Sequence, residues 1–208
     1  ILPSGIKTKI RGIQTHGGAT ETVLSGDRAA LNLSHVKSSD LTRGTVLATP
    51  ECLQPPNRIL ANISMTNSTD WIIKNKQRLR FHIGTSEILG RVSGKKLEKG
   101  QSGNVIIDLE SPVAVAMDDR FVVRSYSPMF TIAGGLVIDP KPIGKWSVLK
   151  SRATNLPVDS KERFKYLVNE DWKAPKSRKE WQSLFFISKE ILDDWIVELK
   201  IIESDGGI

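Results

Sequence analysis

The spacing of apolar residues changes near residue 140, and this change limits the possible folds more than any other feature of the sequence. Before it, short apolar runs alternate with turn residues, a pattern typical of a β-barrel or β-sandwich. After Pro140-Lys141-Pro142, apolar residues recur at helical spacing. The chain is therefore predicted to be mainly β, followed by an α+β segment. The predicted strands are Ile6–Ile13, Ala29–Leu33, Thr45–Ala48, Ile59–Met65, Gln77–Ile83, Glu87–Val92, Ser102–Leu109, Arg120–Arg124 and Leu136–Ile138.

Three short helices are predicted in the C-terminal part of the chain. The first covers residues 160–169, whose apolar side chains share one helical face. A capping box begins the second helix at Ser177, and Ser188 can cap the third. Residues 201–208 have the pattern of a strand that enters a hairpin turn. Three helices followed by a hairpin is the order of a winged helix, a variant of the helix-turn-helix.

Proline clusters predict where the domains meet. The stretch Gln54-Pro55-Pro56-Asn57 ends any strand ladder and stiffens a linker. With the change near residue 140, this predicts domains at residues 1–54, 55–144 and 145–208. Both ends of the chain have the character of interior segments, so we expect it to come from a longer protein.

The charge of the chain indicates a polyanionic partner. The formal net charge is +7, which favours RNA or DNA but does not constrain the fold. Residues 56–144 contain 12 Lys and Arg against 8 Asp and Glu, whereas residues 145–208 contain 12 against 11. The middle segment is therefore predicted to face phosphate groups.

Patterns of catalytic chemistry are missing from the sequence. Cys52 is the single cysteine, which excludes disulfides and cysteine zinc sites within the chain. His16, His35 and His82 have no partner at metal-ligand spacing, and Asp118-Asp119 is predicted to be a turn before a strand. The sequence has neither a P-loop nor an apolar stretch of about 18 residues. We predict no catalytic, metal or membrane site in these residues.

Two stretches resemble the third domain of the elongation factor Tu superfamily. They are Leu79–Val92, which begins Leu-Arg-Phe-His-Ile-Gly, and Leu109–Pro140. The second stretch contains Arg-Phe-Val-Val-Arg-Ser-Tyr-Ser-Pro and then Thr-Ile-Ala-Gly-Gly, a form similar to the selenocysteine-specific branch. Ala133 stands where that branch usually has a third glycine.

The N-terminal part is similar to the second domain of the same branch, through Ile10–Gly17, Gly26–Leu33 and Arg43–Ala48. The first strands of that domain are missing. The resemblance therefore implies a partial and a complete elongation-factor-type β-barrel, followed by a winged-helix domain.

This resemblance implies a carrier that delivers selenocysteyl-tRNA to the ribosome at recoded UGA codons. In the family, the second domain closes over the aminoacyl end of the tRNA, where Arg28 is the candidate residue. Selenols are more acidic than thiols, so the esterified amino acid should be an anion that a guanidinium can recognise. The alternative is that Arg28 is a solvated turn arginine.

The resemblance also implies tRNA contacts in the third domain. Arg78 matches a position that meets the acceptor or T stem, and Arg80 shares its strand face. Such contacts position the tRNA backbone and do not read its sequence. The alternative for either arginine is an ordinary charged strand face.

Further partners follow from the family alone. GTP and Mg²⁺ would bind a GTPase domain outside this sequence, with no cofactor in these residues. Later winged helices, absent here, would bind the mRNA selenocysteine-insertion hairpin. A cytoplasmic monomer is expected.

Two other functions remain open from the sequence. One is a translation GTPase of the same superfamily that carries a different aminoacyl-tRNA. The other is a winged-helix DNA-binding regulator with a β ligand domain. The third predicted helix argues against the DNA-binding regulator, because its carboxylates would repel DNA phosphates. These carboxylates belong to Glu190, Asp193, Asp194 and Glu198.

Overall fold

The computed structural model describes residues 1–171, 173–203 and 207–208. It contains a small N-terminal sheet, a closed β-barrel and a helical segment, in that order. This confirms the predicted order, in which a β part is followed by a helical part. Within the described residues, no helix is long and apolar enough to cross a bilayer.

The N-terminal sheet has the strand order β2-β1-β3 and is antiparallel. Its strands are β1 (Ile10–Thr15), β2 (Gly18–Thr20) and β3 (Ala30–Leu33), and a 3-10 turn follows at Ser38–Asp40.

The prediction of a strand at Thr45–Ala48 is wrong. Val46 makes only an isolated bridge to Leu2, with N–O distances of 2.8 and 3.0 Å. Pro3 follows Leu2 and has no N–H to donate, so the ladder cannot extend in that direction.

Six strands close the barrel in the order β4-β7-β6-β5-β8-β9. All neighbouring pairs are antiparallel. The strands are β4 (Arg58–Met65), β5 (Arg78–Ile83), β6 (Ser86–Ser93), β7 (Ser102–Leu109), β8 (Arg120–Arg124) and β9 (Thr131–Asp139). Strand β5 shows why these segments form a barrel: Leu79, Phe81 and Ile83 are buried inside while the residues between them point outward.

Strand β9 is six residues longer than the three predicted at Leu136–Ile138. Glycines in its first half hid the alternation of apolar residues. Gly135 is required there, because a Cβ atom at this position would lie 2.1 Å from the Phe121 ring.

Within the described residues the helical segment contains four helices, not the three predicted. They are α1 (Trp146–Asn155), α2 (Ser160–Glu170), α3 (Arg178–Phe185) and α4 (Lys189–Leu199). The capping box at Ser177 and the Ser188 cap are both present. Helix α1 was missed because its N-cap, Lys145, makes no side-chain cap and its buried side is only Leu149 and Ala153.

The predicted hairpin at residues 201–208 falls largely outside the described residues, since these exclude 204–206. Residues 201–203 are not in a strand, and the amide of Ile208 donates to the carbonyl of Lys176 at 2.9 Å. The winged-helix assignment of this segment stays a prediction.

The outward side chains of the barrel divide between two halves. Those of neighbouring strands β7, β4 and β9 include Ile106, Leu60 and Ile138, which are buried in one apolar cluster with the helices. The other half consists of β6, β5 and β8, whose outward side chains are largely charged. The helices therefore cover one half of the barrel, while the charged half faces solvent.

Candidate nucleic-acid interface

The two arginines predicted from strand β5 lie together on the uncovered half of the barrel. Arg78 and Arg80 are both outward residues of β5. Both guanidinium groups lie near the ring of Tyr126, with Cζ-to-centroid distances of 4.9 Å for Arg78 and 5.9 Å for Arg80. The ring holds the two cations by cation–π attraction.

A carboxylate fixes each of these arginines. Nε and Nη2 of Arg78 donate to the two carboxylate oxygens of Glu110 at 2.7 and 2.6 Å, a bidentate pair. Because of this hydrogen bond, the pKa of Arg78 is raised and that of Glu110 is lowered. Arg80 pairs with Glu87 through a single contact, from Nη1 to one carboxylate oxygen. Exposed pairs of this kind add little to the stability of the fold.

Cross-strand register brings two more arginines to this surface, and sequence reasoning missed both. Arg91 of β6 lies directly opposite Arg78, and Arg124 of β8 lies directly opposite Arg80. Like charges opposite each other destabilise a sheet. We call Arg78, Arg80, Arg91, Arg124 and Tyr126 the arginine face. The residue types were visible in the sequence, but strand pairing was needed to place them together.

His82 extends the arginine face along β5. Burial and the charge of Arg124 lower its pKa, which favours the neutral ring near pH 7. Its Nε2 has no hydrogen-bond partner among the described residues, and the same is true of Nε of Arg80. Both atoms are donors or acceptors that a ligand could satisfy.

The loop of residues 125–130 borders the arginine face and is held by Ser125. The Ser125 amide donates to the carbonyl of Phe130 at 3.0 Å, and its Oγ accepts from the Phe130 amide at 2.9 Å. The loop exposes about half of each of three large side chains: Tyr126, Met129 and Phe130. Exposed aromatic groups beside cations are typical of surfaces that bind nucleic acid.

Arg28 lies apart from the arginine face, in the connection between β2 and β3. It is exposed, and its backbone carbonyl accepts from Oγ1 of Thr15 at 3.0 Å. Within the described part of the chain, its guanidinium makes no ion pair and no contact with Arg78 or Arg80. The structure therefore does not bring the three predicted site residues together.

The remaining candidates have structural partners. Asp118 and Asp119 do not share a site, as predicted, because Asp118 contacts Arg163 and Asp119 accepts from the Ala116 amide at 2.8 Å. Cys52 is exposed. Among the described residues, no group of three or more His, Cys, Asp or Glu could hold a metal ion. The chemistry on this surface is that of fixed cations and aromatic rings, which suits binding of phosphate groups.

Comparisons with known proteins show which protein family the barrel is similar to. Residues 60–143 match the family "Selenocysteine-specific elongation factor, beta-barrel domain". The selenocysteine-specific elongation factor of Desulfomicrobium baculatum is 36% identical over 143 residues, which is 67% of this chain and 23% of that protein. The Escherichia coli K12 factor of the same name is 29% identical over 136 residues, 64% of this chain and 20% of that protein.

A solved structure has a similar fold. It is translation elongation factor SelB from Methanococcus maripaludis in its apo form, with a TM-score of 0.58 and 20% identity. The match covers 68% of this chain and 36% of that one. The chain thus spans only about a fifth to a quarter of the length of the curated relatives named here. The chain belongs to the selenocysteine-specific elongation factor family, as a segment that contains the β-barrel domain and not the GTPase domain.

Proposed function

We propose that this chain is the tRNA-holding part of a selenocysteine-specific elongation factor that delivers selenocysteyl-tRNA to the ribosome at recoded UGA codons. The arginine face supports this most directly. Four arginines and a tyrosine meet on one half of the barrel, and the helices leave that half uncovered. Such a surface can contact consecutive phosphates of an RNA helix without reading its sequence.

The wider setting of this function follows from the family. GTP and Mg²⁺ act in a GTPase domain outside this sequence, and later winged helices bind the mRNA hairpin. The helical segment described here is a packing module, since its apolar side chains share a cluster with the barrel. The acidic side chains of α4 are partly used in ion pairs with neighbouring helices, such as Asp193 with Arg178. The factor works as a cytoplasmic monomer.

The salt dependence of tRNA binding tests the arginine face. Each phosphate contact contributes about 0.7–0.9 to the slope of log K against log salt concentration. Replacing Arg78 and Arg80 together with glutamine should therefore lower the slope by about 1.5. A matched control is the double variant Lys165→Gln and Lys179→Gln, which removes the same charge from exposed helical positions. Equal slopes in the two double variants would show that the arginine face does not touch tRNA.

Arg28 is the proposed reader of the amino acid. A charge-assisted hydrogen bond to the selenolate discriminates by about 10–150-fold against the neutral hydroxyl of serine. This is tested in the full-length factor by comparing selenocysteyl-, cysteinyl- and seryl-tRNA with Arg28, Arg28→Lys and Arg28→Ala. Discrimination should fall in the alanine variant and persist in part with lysine. If Arg28→Ala discriminates as well as the parent, Arg28 is a solvated turn residue. If the parent prefers another aminoacyl-tRNA, the factor carries that one.

A further inference from the structure

A groove separates the barrel from helix α1 and adjoins the arginine face. Its volume is about 840 Å³. Strands β4, β6 and β7 and the segment before β5 form one side, and α1 forms the other. A space of this size can hold a ligand of a few hundred daltons or a short stretch of polymer.

The groove is positively charged. Four of the described residues that line it are lysines and none is acidic. Lys96 pairs with Glu98 at 2.5 Å. The other three have no salt bridge with a described carboxylate and are exposed: Lys76, Lys95 and Lys150. We call these three the groove lysines. A surface of unpaired cations with no carboxylate among them attracts anions.

Several cationic side chains lie near the ring of Trp146. Nζ of Lys76 lies 4.7 Å from the ring centroid and Nζ of Lys150 lies 5.8 Å from it. Cζ of Arg58 is 5.3 Å from the same centroid, but Arg58 is already paired with Asp108. The two lysines near this indole have no such partner among the described residues and repel each other, and a bound anion would relieve that repulsion.

The wall of the groove contains an unsatisfied polar group. Ser93 is only 6% exposed, and its Oγ has no hydrogen-bond partner among the described residues. A buried hydroxyl without a partner destabilises the fold, and such groups in native proteins call for a ligand or water. The backbone of Lys76 is also strained, since its φ is +64°.

The groove continues into the arginine face. Nη1 of Arg91 donates to the carbonyl of Lys76 at 3.3 Å, and Arg91 lies opposite Arg78 on the sheet. The cations therefore form one connected track, from Arg78 through Arg91 to Lys76 and then into the groove.

We propose that the groove binds the sugar-phosphate backbone of the same RNA that lies on the arginine face. The proposal rests on the proposed function and extends it. Lysines are compact charges that suit successive phosphates, and here they are spread along an exposed rim. A free nucleotide would need them to converge on one point, so a polymer fits the arrangement better.

The test replaces the three groove lysines with glutamine in the full 208-residue chain. Binding of fluorescent unacylated tRNA is measured by anisotropy between about 0.05 and 0.5 M salt. Three lost phosphate contacts lower the slope of log K against log salt by about 2 and the affinity at 0.1 M salt by about a hundredfold. The control removes three other exposed lysines from the helices: Lys165, Lys179 and Lys189. If the groove variant and this control have the same slope, the proposal is wrong.

Ser93→Ala gives a second readout that charge alone cannot produce. A lost hydrogen bond to a phosphate weakens tRNA binding about tenfold and leaves the salt slope unchanged, because no ion contact is removed. The thermal midpoint does not fall, since the removed hydroxyl has no partner in the free chain. Unchanged tRNA affinity in Ser93→Ala would contradict a backbone contact at the groove wall.

Further arms separate this proposal from the proposed function. With adenosine monophosphate as the probe, binding as tight as that of tRNA overturns the proposal in favour of a nucleotide site. If the arginine variants lose salt slope and the groove variants do not, tRNA binding stands and the groove is not part of it. If neither set differs from its control, both proposals fail together.

Discussion

Replacing Asp118 with alanine removes the charged partner of Arg163, a buried side chain where the barrel meets the helices. Arg163 of α2 is fully buried, and its Nη2 donates to Asp118, which precedes β8. Oγ of Ser160 donates to the other carboxylate oxygen at 2.7 Å. The barrel and the helical segment are therefore held together by an ion pair as well as by the shared apolar cluster.

The size of the effect depends on the hydrogen bonds that Arg163 retains in the Asp118→Ala variant. Removing one partner of a buried ion pair usually costs about 3–5 kcal/mol. Here Nη1 still donates to the carbonyls of Pro157 and Val158, at 3.1 and 2.6 Å. The Asp118 side chain is also 31% exposed, so water can partly solvate the remaining charge. We therefore expect Asp118→Ala to lower the free energy of unfolding by about 2–3 kcal/mol, or the thermal midpoint by about 5–10 °C.

Urea unfolding followed by circular dichroism measures this change, with hydrogen exchange to locate it. Amides of α2 should exchange faster in the variant than those of β5. The control is Asp70→Ala, whose carboxylate is 93% exposed and pairs with Lys99 at 3.1 Å; its midpoint should not move. The double variant Asp118→Ala with Arg163→Met should recover stability, because it leaves no stranded charge. Equal midpoints for Asp118→Ala and Asp70→Ala would refute the reasoning.

Three further predictions concern the arginine face and the barrel beneath it. Glu110→Gln should tighten tRNA binding about two- to fivefold at low salt, because phosphates no longer compete with this carboxylate; weaker binding would show that Glu110 chiefly orients its arginine. Since phosphates favour protonated His82 while its pKa in the free chain is lowered, tRNA affinity should rise as the pH falls through the range where His82 gains its proton. His82→Asn should flatten that pH dependence, and an unchanged profile would exclude His82. Gly135→Ala should destabilise the barrel by about 3 kcal/mol, because the new Cβ meets three Phe121 ring atoms at 2.1–2.8 Å. In Gly134→Ala the nearest atom is 4.0 Å away, so a similar loss there would contradict this explanation.

The strands of the barrel could be predicted because the apolar pattern within each segment is that of a β-strand. In β5, alternating apolar residues define an inner face wherever the partner strands lie. Helix α1 lacked such evidence. Its first cap is a lysine and it is buried along a narrow stripe, so its position depends on packing against β7. Local signals predict an element only where the element's own residues decide its structure.

The site could be predicted only in part, for a related reason. Arg78 was predicted through the family resemblance, and Arg80 because it lies two residues away on the same strand face. Arg91 and Arg124 join them through pairing with β6 and β8, and register across strands is not written in any single segment. The groove was harder still to predict, because its two sides are α1 and β7, which are far apart in the sequence.

The closed barrel explains how one small domain can pack against the helices and still expose a cationic surface. In a closed sheet every outward residue is exposed unless something covers it, and opposite strands face opposite directions. Apolar outward residues on β7, β4 and β9 direct the helices to one half, which leaves the cations of β6, β5 and β8 uncovered. The buried pair of Asp118 and Arg163 ties α2 to the barrel, while α1 is held by the apolar cluster and by the pair of Arg152 with Asp139 at 3.1 Å. The groove between α1 and β7 therefore depends on the helical segment staying packed against the barrel. If Asp118→Ala loosens the helices without unfolding the barrel, tRNA binding should lose the contribution of the groove lysines and retain that of the arginine face.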